Sequence, residues 1–481
     1  MFLGLIALII AAASVSVARG TQQSTILQTK QTQLALSTAK QALIAYATGP
    51  ALLYSCTDTT TNPAPCVRPG ELPCPDINND GIADTPCSTT ASRLGRLPWK
   101  TLGLPDLRDG SGERLWYALS APFTNSPRST CTTPGSAGCL NSSTPGTITF
   151  KDSHDVIIND GTVASTAAIA IIIAPGSSLL RLDAVAQDRS CTGDAAVANC
   201  LATGVCSSAS TPLCKAINYL DIAPSGEDNA VFSESSNTGG FITASIASSG
   251  GTVQFNDVAV AISYADVMPL LQRRVAQEAM KCLKTYASAN YSRYPWAATY
   301  VQAGPSSYFA TFADTLQYNF GHFPDTLDQT QWSGSMIGLV SPQMANRWPA
   351  VTCSIGISGN AAWWMNWKDL VYYAVAPAYA PNSTTLACTG TNCLTIDPAS
   401  GGNVAQASVF VGGPVVGSES RGTYTQWNTP SDYLEGESAT TSDSYVTWIN
   451  SNPFPPPPPP WTFVFQSGPS SSTFNDTVIF Q

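Results

Sequence analysis

Met1-Phe-Leu-Gly-Leu-Ile-Ala-Leu-Ile-Ile-Ala-Ala-Ala-Ser14 opens the chain, and residues 22–47 follow with one apolar face made by Ile26/Leu27, Leu34/Ala35, Ala42/Leu43 and Tyr46. Apolar residues at this spacing fall on one side of a helix, which is expected to run until Gly49-Pro50 stops it. About 240 residues later Val275, Ala279, Cys282, Leu283, Tyr286 and Ala287 repeat the pattern. Residues 2–18 carry no charge. At ~1.5 Å per residue they span about 25 Å, a little less than a ~30 Å hydrocarbon core. Two readings compete: a membrane anchor continuing into the helix, and a cleavable signal peptide ending near Ala18. The helical character beyond Arg19 favours the anchor.

With 481 residues there is room for two or three domains. Only 11% of residues are charged, and the net charge is -10. No basic stripe is available to displace counterions from phosphate, so nucleic acid is excluded as a partner. The 14 cysteines include no Cys-x-x-Cys and fall mostly in near neighbours: Cys56 and Cys66, Cys74 and Cys87, Cys131 and Cys139, Cys191 and Cys200, Cys206 and Cys214, Cys388 and Cys393. Cys282 and Cys353 are left over. Two histidines in the whole chain leave a Cys/His metal cluster without its usual ligands. Disulfides in an oxidising compartment are the better account, although sequence does not fix their pairing.

Five short segments recur in order. Trp116-Tyr-Ala-Leu-Ser-Ala-Pro122 is echoed by Val371-Tyr-Tyr-Ala-Val-Ala-Pro377, and Cys131/Cys139 by Cys388/Cys393. Ala170–Ala174 before Pro175-Gly176 is echoed by residues 405–414, Asn218-Tyr-Leu-Asp221 by Asp432-Tyr-Leu-Glu435, and Phe255-Asn-Asp-Val258 by Phe474-Asn-Asp-Thr477. Together with the returning helix they indicate a duplicated unit. The expected layout is a segment 1–20 (anchor or signal-like), a unit 21–265 (helix 22–47 plus β head) and a unit 266–481 (helix 267–288 plus Trp-rich β head). Ala167–Ala174 is too short to span a membrane and reads as a buried central strand. Pro455–Pro460 must be extended and reads as a stiff surface loop.

Candidate sites are few. Asp76, Asn78, Asp80 and Asp84 occupy positions 1, 3, 5 and 9 of a calcium-type loop, with Gly81 at the sharp turn and the Ile82 carbonyl at position 7. Position 12 is Cys87 rather than a bidentate Glu. A structural Ca²⁺ and an ion-free Asx-turn loop therefore both remain open, and no cofactor is required. Ser37-Thr-Ala-Lys40 fits Ser-x-x-Lys but lacks the partner motifs of that chemistry. His154 and His322 have no serine or cysteine placed to form a dyad and read as ordinary surface residues. Asp106, Asp109 and Glu113, like Glu435 and Glu437, read as solvated turn residues. Trp332, Trp348, Trp363, Trp364 and Trp367 crowd one stretch, either as a mini-core or as a contact surface. None of this points to an enzyme.

Residues 39–46, Pro69–Asp76, Asp80-Gly81, Gly95–Pro105 and Asp109–Tyr117 resemble the pilin-like proteins of Gram-negative bacteria, the minor pilins of type IV pili and the pseudopilins of type II secretion. The chain is closest to their large membrane-anchored members. That resemblance implies an α+β, pilin-like fold. An N-terminal membrane/spine helix leads into a disulfide-rich β-sheet head, and here the helix-plus-sheet unit is duplicated in tandem. It also implies a single-pass bacterial inner-membrane protein anchored through residues 2–18, with its body in the periplasm. Its partners would be other pilin-like subunits or a pilus or secretion assembly platform. The Leu27, Leu34 and Leu43 face would meet those partner helices. The family's charged leader and early glutamate are missing, with Leu5 near the glutamate's place, so a tip or initiation position is implied. The alternative is a stand-alone anchored or secreted adhesin that binds through its Trp-rich unit.

Overall fold

The computed structural model describes residues 2–49, 68–124, 139–163, 165–189, 215–234, 240–247, 251–298, 312–314, 318–327, 348, 353, 362–384, 386–389, 392–397, 401–421, 426, 429–451, 463–468, 471 and 473–481, the side chains of 2–23, 362–363 and 445–451 excepted. Pro455–Pro460, Trp332 and the Trp363 side chain lie outside the described residues. The chain divides into two compact units, one of Met1–Ala47, Leu72–Pro127 and Pro145–Ala265, the other of Thr48–Glu71, Arg128–Thr144 and Asp266–Gln481.

The first unit begins with helix α1 (Phe2–Thr48). Its described part buries Ala35, Leu36, Ala39, Leu43 and Ala47, a stripe at helical period. Beyond it stand β1 (Leu94–Arg96), β2 (Trp116–Leu119), β5 (Ala168–Ala174) and β9 (Val258–Ser263), which form an antiparallel sheet in the order β1-β2-β5-β9. β5 reads Ala-Ile-Ala-Ile-Ile-Ile-Ala and is buried at every position, as a central strand covered on both faces must be. Alternation sorts the faces. Tyr117 turns toward Tyr46 of α1, which contributes to the rise in its pKa after burial itself. Leu94, Trp116, Ala118, Ile171 and Ile173 turn the other way. There they share a core with Phe150 and Phe241 from a second sheet, β4-β3-β6 (β3 Phe150–Lys151, β4 Ile157–Asn159, β6 Phe241–Ile242). A hairpin of β7 (Ile246–Ala247) and β8 (Val253–Phe255) completes the unit.

The second unit starts from α2 (Tyr264–Ala289), whose Val275, Ala276, Ala279, Leu283 and Tyr286 are fully buried. Its main sheet is β10 (Phe320–His322), β11 (Val371–Val375), β14 (Ala407–Val411) and β16 (Thr477–Phe480), antiparallel in the order β10-β11-β14-β16. One face carries Tyr373, and Phe323 beside it stacks on Trp348 and meets Trp364 edge-on. The other carries Tyr372 and Phe410 against Phe320 and Phe465. A second sheet joins β13 (Asn403–Ala405), β12 (Leu394–Ile396) and β15 (Val464–Phe465). Helices α3 (Ala362–Trp367) and α4 (Gly436–Ser451) are further elements of this unit.

The β7–β8 hairpin apart, the described strands of the two units share one connectivity. The four-stranded sheets have matching order, and in both small sheets the middle strand pairs one neighbour antiparallel and the other parallel. The fold is α+β with two sheet-rich units.

Two expectations are corrected here. Among the described residues no helix is long and apolar enough to cross a membrane, so the single-pass anchor through residues 2–18, and the inner-membrane placement drawn from it, do not stand. The uncharged run was already short of a bilayer core. Secondly, α1 does not offer Leu27, Leu34 and Leu43 as one partner face. Leu27 and Leu34 are 66% and 65% exposed, whereas Leu43 is fully buried in its own unit. A spacing of nine residues is two and a half turns and puts Leu43 on the opposite side from Leu34.

The docking of α1 rests on a tight turn. Gly110 donates its N–H to the Thr32 hydroxyl at 2.9 Å, Gln31 Nε2 donates to the Asp109 carbonyl at 2.9 Å, and a Cβ on Gly110 would lie 2.2 Å from the Gln28 carbonyl oxygen. Gly110→Ala must push backbone away from backbone and is expected to cost about 1–3 kcal/mol in urea denaturation. Gly112→Ala meets nothing within 4 Å and bears only the strain of its φ of +84°, about 1 kcal/mol. Equal losses in the two variants would refute this account of the docking.

Candidate functional site

The loop from Asp76 to Asp84 is held by its own carboxylates. Asp76 accepts the Asp80 and Gly81 N–H groups at 3.1 and 2.7 Å, Asp80 accepts the Ile82 N–H at 2.7 Å, and Asp84 accepts the Ile77 and Asn78 N–H groups at 2.6 and 3.1 Å. Asn78 Oδ1 accepts from Asp80 N–H at 3.0 Å, and Lys100 Nζ donates to the Asp80 carbonyl. The Cys74–Cys87 disulfide closes the loop from outside. A hard cation would have to compete with these amides for the same oxygens. Among the described residues no group of three or more His, Cys, Asp or Glu side chains is placed to hold a metal ion. The donor set fits a self-contained Asx-turn loop better than a cation cage.

Other cysteines are joined as Cys282–Cys353 and Cys388–Cys393, and Cys139 is also disulfide-bonded. Cys56, Cys66, Cys131, Cys191, Cys200, Cys206 and Cys214 lie outside the described residues. Trp348, Trp364 and Trp367 are buried, and Trp348 Nε1 donates to the Pro324 carbonyl at 3.0 Å. They are core. Ser37 is exposed, while Lys40 Nζ donates to the Ala261 carbonyl at 2.9 Å. Asp106 pairs with Arg108 and Arg114. Asp109 is buried, not solvated, and accepts the N–H groups of Ser111, Glu113 and Gly176.

What the sequence placed far apart, the fold joins. In the first unit Asp221 N–H donates to Asp257 Oδ2 at 2.9 Å, and Asn256 N–H donates back to Asp221 Oδ2 at 2.7 Å. Gln187 Nε2 donates to Asp221 Oδ1 at 2.7 Å. Arg189 donates to the Gly176 carbonyl and to Gln187 Oε1, and Asn256 Nδ2 to the Ser177 carbonyl. In the second unit Glu435 N–H donates to Asp476 Oδ2 and Asn475 N–H donates to Glu435 Oε2, both at 2.9 Å. Arg421 donates to the Gly413 carbonyl and to Glu419, and Asn475 Nδ2 to the Pro414 carbonyl. Residue answers residue: Gln187 and Glu419, Arg189 and Arg421, Asp221 and Glu435, Asn256 and Asn475, Asp257 and Asp476. In each unit the glycine after the central strand, Gly176 or Gly413, lies so close to the asparagine that a Cβ would overlap it.

No protein-family model matches this chain, and no curated protein or solved structure matches it either. The resemblance to pilin-like proteins therefore does not stand, and with it fall the type IV pilus and type II secretion roles, the tip position and the adhesin alternative. The motifs that suggested it have local explanations: the Asp109 turn docks α1, and the Asp76 loop is an Asx-turn structure.

Two further positions are equivalent but filled differently. In the first unit Arg96 of β1 faces Trp116 of β2, and its guanidinium lies 4.3 Å from the Trp116 ring centre and 3.9 Å from that of Tyr219. In the second unit His322 of β10 faces Tyr372 of β11, stacked at 4.5 Å on Tyr372 and at 4.4 Å on Phe312. Burial, and then the nearby Lys368, pushes the His322 pKa down to about 3, so this ring is neutral at physiological pH. The expectation that His322 lies at the surface is corrected, since it is 1% exposed between Phe312 and Tyr372, and Arg96 was not singled out at all, because the residues that cover both arrive from distant segments.

Asp76 titrates in a measurable way. Burial pushes its pKa up to about 7; Gly81's amide bond opposes the rise, and the neighbouring Asp80 and Asp84 add to it. The folded state thus holds an extra proton between about pH 4 and 7, and this group's contribution to stability is lost as pH rises through that window. Asp76→Asn is expected to flatten the fall, whose limit is about 1.4 kcal/mol per pH unit, in urea denaturation at successive pH values. An unchanged slope would show that Asp76 is ionised throughout. Millimolar CaCl₂ is expected to leave the wild-type melting temperature unmoved, and a rise reversed by EDTA would restore a cation to the loop.

Proposed function

We propose that this chain is a non-enzymatic structural protein of an oxidising compartment, built from two copies of one helix-and-sheet unit, in which the buried acids serve architecture. The repeated carboxyl–amide clamp carries the proposal. Five polar residues take equivalent places in both units and spend their hydrogen bonds on main-chain groups and on one another. A catalytic carboxylate needs an oxygen facing substrate, whereas these groups turn one oxygen toward an amide and bury the other: Asp257 Oδ1, Asp476 Oδ1 and Glu435 Oε1 are enclosed in protein without a hydrogen-bond partner. Neither histidine suits general-base work beside them: His154 is exposed and His322 is buried between aromatic rings. Disulfides within both units support the compartment. The acidic charge of -10 disfavours nucleic acid.

The clamps differ at one place that allows a test. Gln187 meets Asp221 in the first unit, whereas Glu419 stands at the same place near Glu435 in the second. Burial chiefly, and Glu435 in part, pushes the Glu419 pKa up to about 7 against the pull of the Val416 amide and Arg421. A raised carboxyl pKa means that stability is lost as pH climbs toward 7. Glu419→Gln is therefore expected to raise the melting temperature by about 2–4 °C at pH 8, as for roughly 1 kcal/mol after allowance for screening, and to change little at pH 5. Asp257→Ala strands the Asp221 and Asn229 donors and is expected to cost roughly 2–4 kcal/mol. Functional acids are commonly held at the expense of stability, so an Asp257→Ala protein as stable as wild type, or more so, would defeat the architectural role.

A further inference from the structure

The contrast between Arg96 and His322 has a chemical consequence. Arg96 is 5% exposed and, among the described residues, forms no ion pair with a carboxylate. Its Nη1 donates to the Arg114 carbonyl at 3.3 Å, and its Nε, like the Trp116 indole N–H, has no hydrogen-bond partner. A buried guanidinium with no carboxylate bonded to it is costly, and burial pushes its pKa down to about 10 despite help from Tyr219 and from the charge of Glu113. In the second unit the equivalent place is taken by an imidazole covered by Phe312. In the first unit it borders a cavity of about 350 Å³. Leu94, Trp116, Val231 and Phe232 supply apolar and aromatic walls, the exposed Lys215 adds a second cation, and Asp76, whose carboxyl is already engaged by the Asp80 and Gly81 amides, also lines the cavity.

The geometry points to a binding site in the first unit for a small organic anion, a carboxylate carried on a flat aromatic body. Cavities of this size suit compact ligands, which are held by apolar walls and oriented by a few polar groups. The planar guanidinium fork matches a carboxylate, and the aromatic body would lie against Trp116 and Phe232. A directly bonded counter-charge is then supplied by the ligand. The second unit, with a neutral ring at the same place, has no such demand.

Calorimetric titration of the full chain with benzoate, benzamide and inorganic phosphate tests the assignment. Benzoate is expected to bind at one site, with benzamide and phosphate each at least ~10-fold weaker, since charged hydrogen bonds and apolar burial are separately lost. Val231→Glu, at a position 59% exposed, keeps the fold and is expected to weaken benzoate ~5-fold or more by like-charge repulsion, while Val231→Lys holds or tightens it. Arg96→Met fills the same sandwich without charge. It is expected to abolish benzoate binding while raising the melting temperature, a pairing that a merely structural arginine would not produce. Equal binding of benzamide would overturn the proposal, as would phosphate binding as tightly as benzoate, indifference to Val231→Glu, or no benzoate binding by the wild type. An Arg96→Met protein that unfolds more easily would likewise count against it.

Discussion

Buried carboxyl groups bonded to main-chain amides are the constraint on which the rest of this structure depends. Each unit has to bring the strand that ends its main sheet, β9 or β16, back beside a loop that left the central strand many residues earlier. Apolar contact alone is non-directional and leaves register loose. A side-chain carboxylate accepting an N–H from the opposite segment, with a second carboxylate returning the bond, sets both position and direction. The arginine that reaches the glycine carbonyl after the central strand ties the third segment in. Most of the acidic residues singled out here are engaged in this way, including Asp76 and Asp109, which hold their own turns.

The two units thus share a frame and differ in what they do with it. At the position after the glycine of the first sheet strand, one holds a cation and the other a neutral ring. In the clamp, one holds an amide and the other a carboxyl group. The first exchange removes a positive charge and the second puts an ionisable carboxyl where the other unit has an amide, while the strand order stays the same. A buried charge is the most expensive thing a core can carry, so these are the places where equivalent units part most sharply in chemistry.

Helix α1 shows how an apolar pattern misleads. Its leucines and isoleucine at 26, 27 and 34 look like part of one face with Leu43, but the stripe that is buried runs through Ala35, Leu36, Ala39, Leu43 and Ala47. Alanines and leucines share that stripe, and the turn at Gly110 lets backbone approach backbone at Gln28. Hydrophobicity ranks side chains by their cost in water, whereas position around the helix decides which leucines are buried here.

By itself the sequence determined a good deal. The all-apolar run Ala167–Ala174 reads as a buried central strand, which the structure places at Ala168–Ala174, and the helical spacing at 22–47 and 267–288 announced α1 and α2. The recurrence of Asn218-Tyr-Leu-Asp221 and Phe255-Asn-Asp257 in the second half marked the segments that later meet. These signals are local: strand alternation, helical period and short motifs are written in neighbouring residues. Tertiary structure alone decided that the two motifs bond to each other, that Asp109 is buried rather than solvated, that the tryptophans at 348, 364 and 367 are core, and that Arg96 lacks a carboxylate while His322 lies between two rings. Those facts depend on which distant segment arrives at a given side chain and on how much water it excludes. No spacing along the chain encodes either quantity.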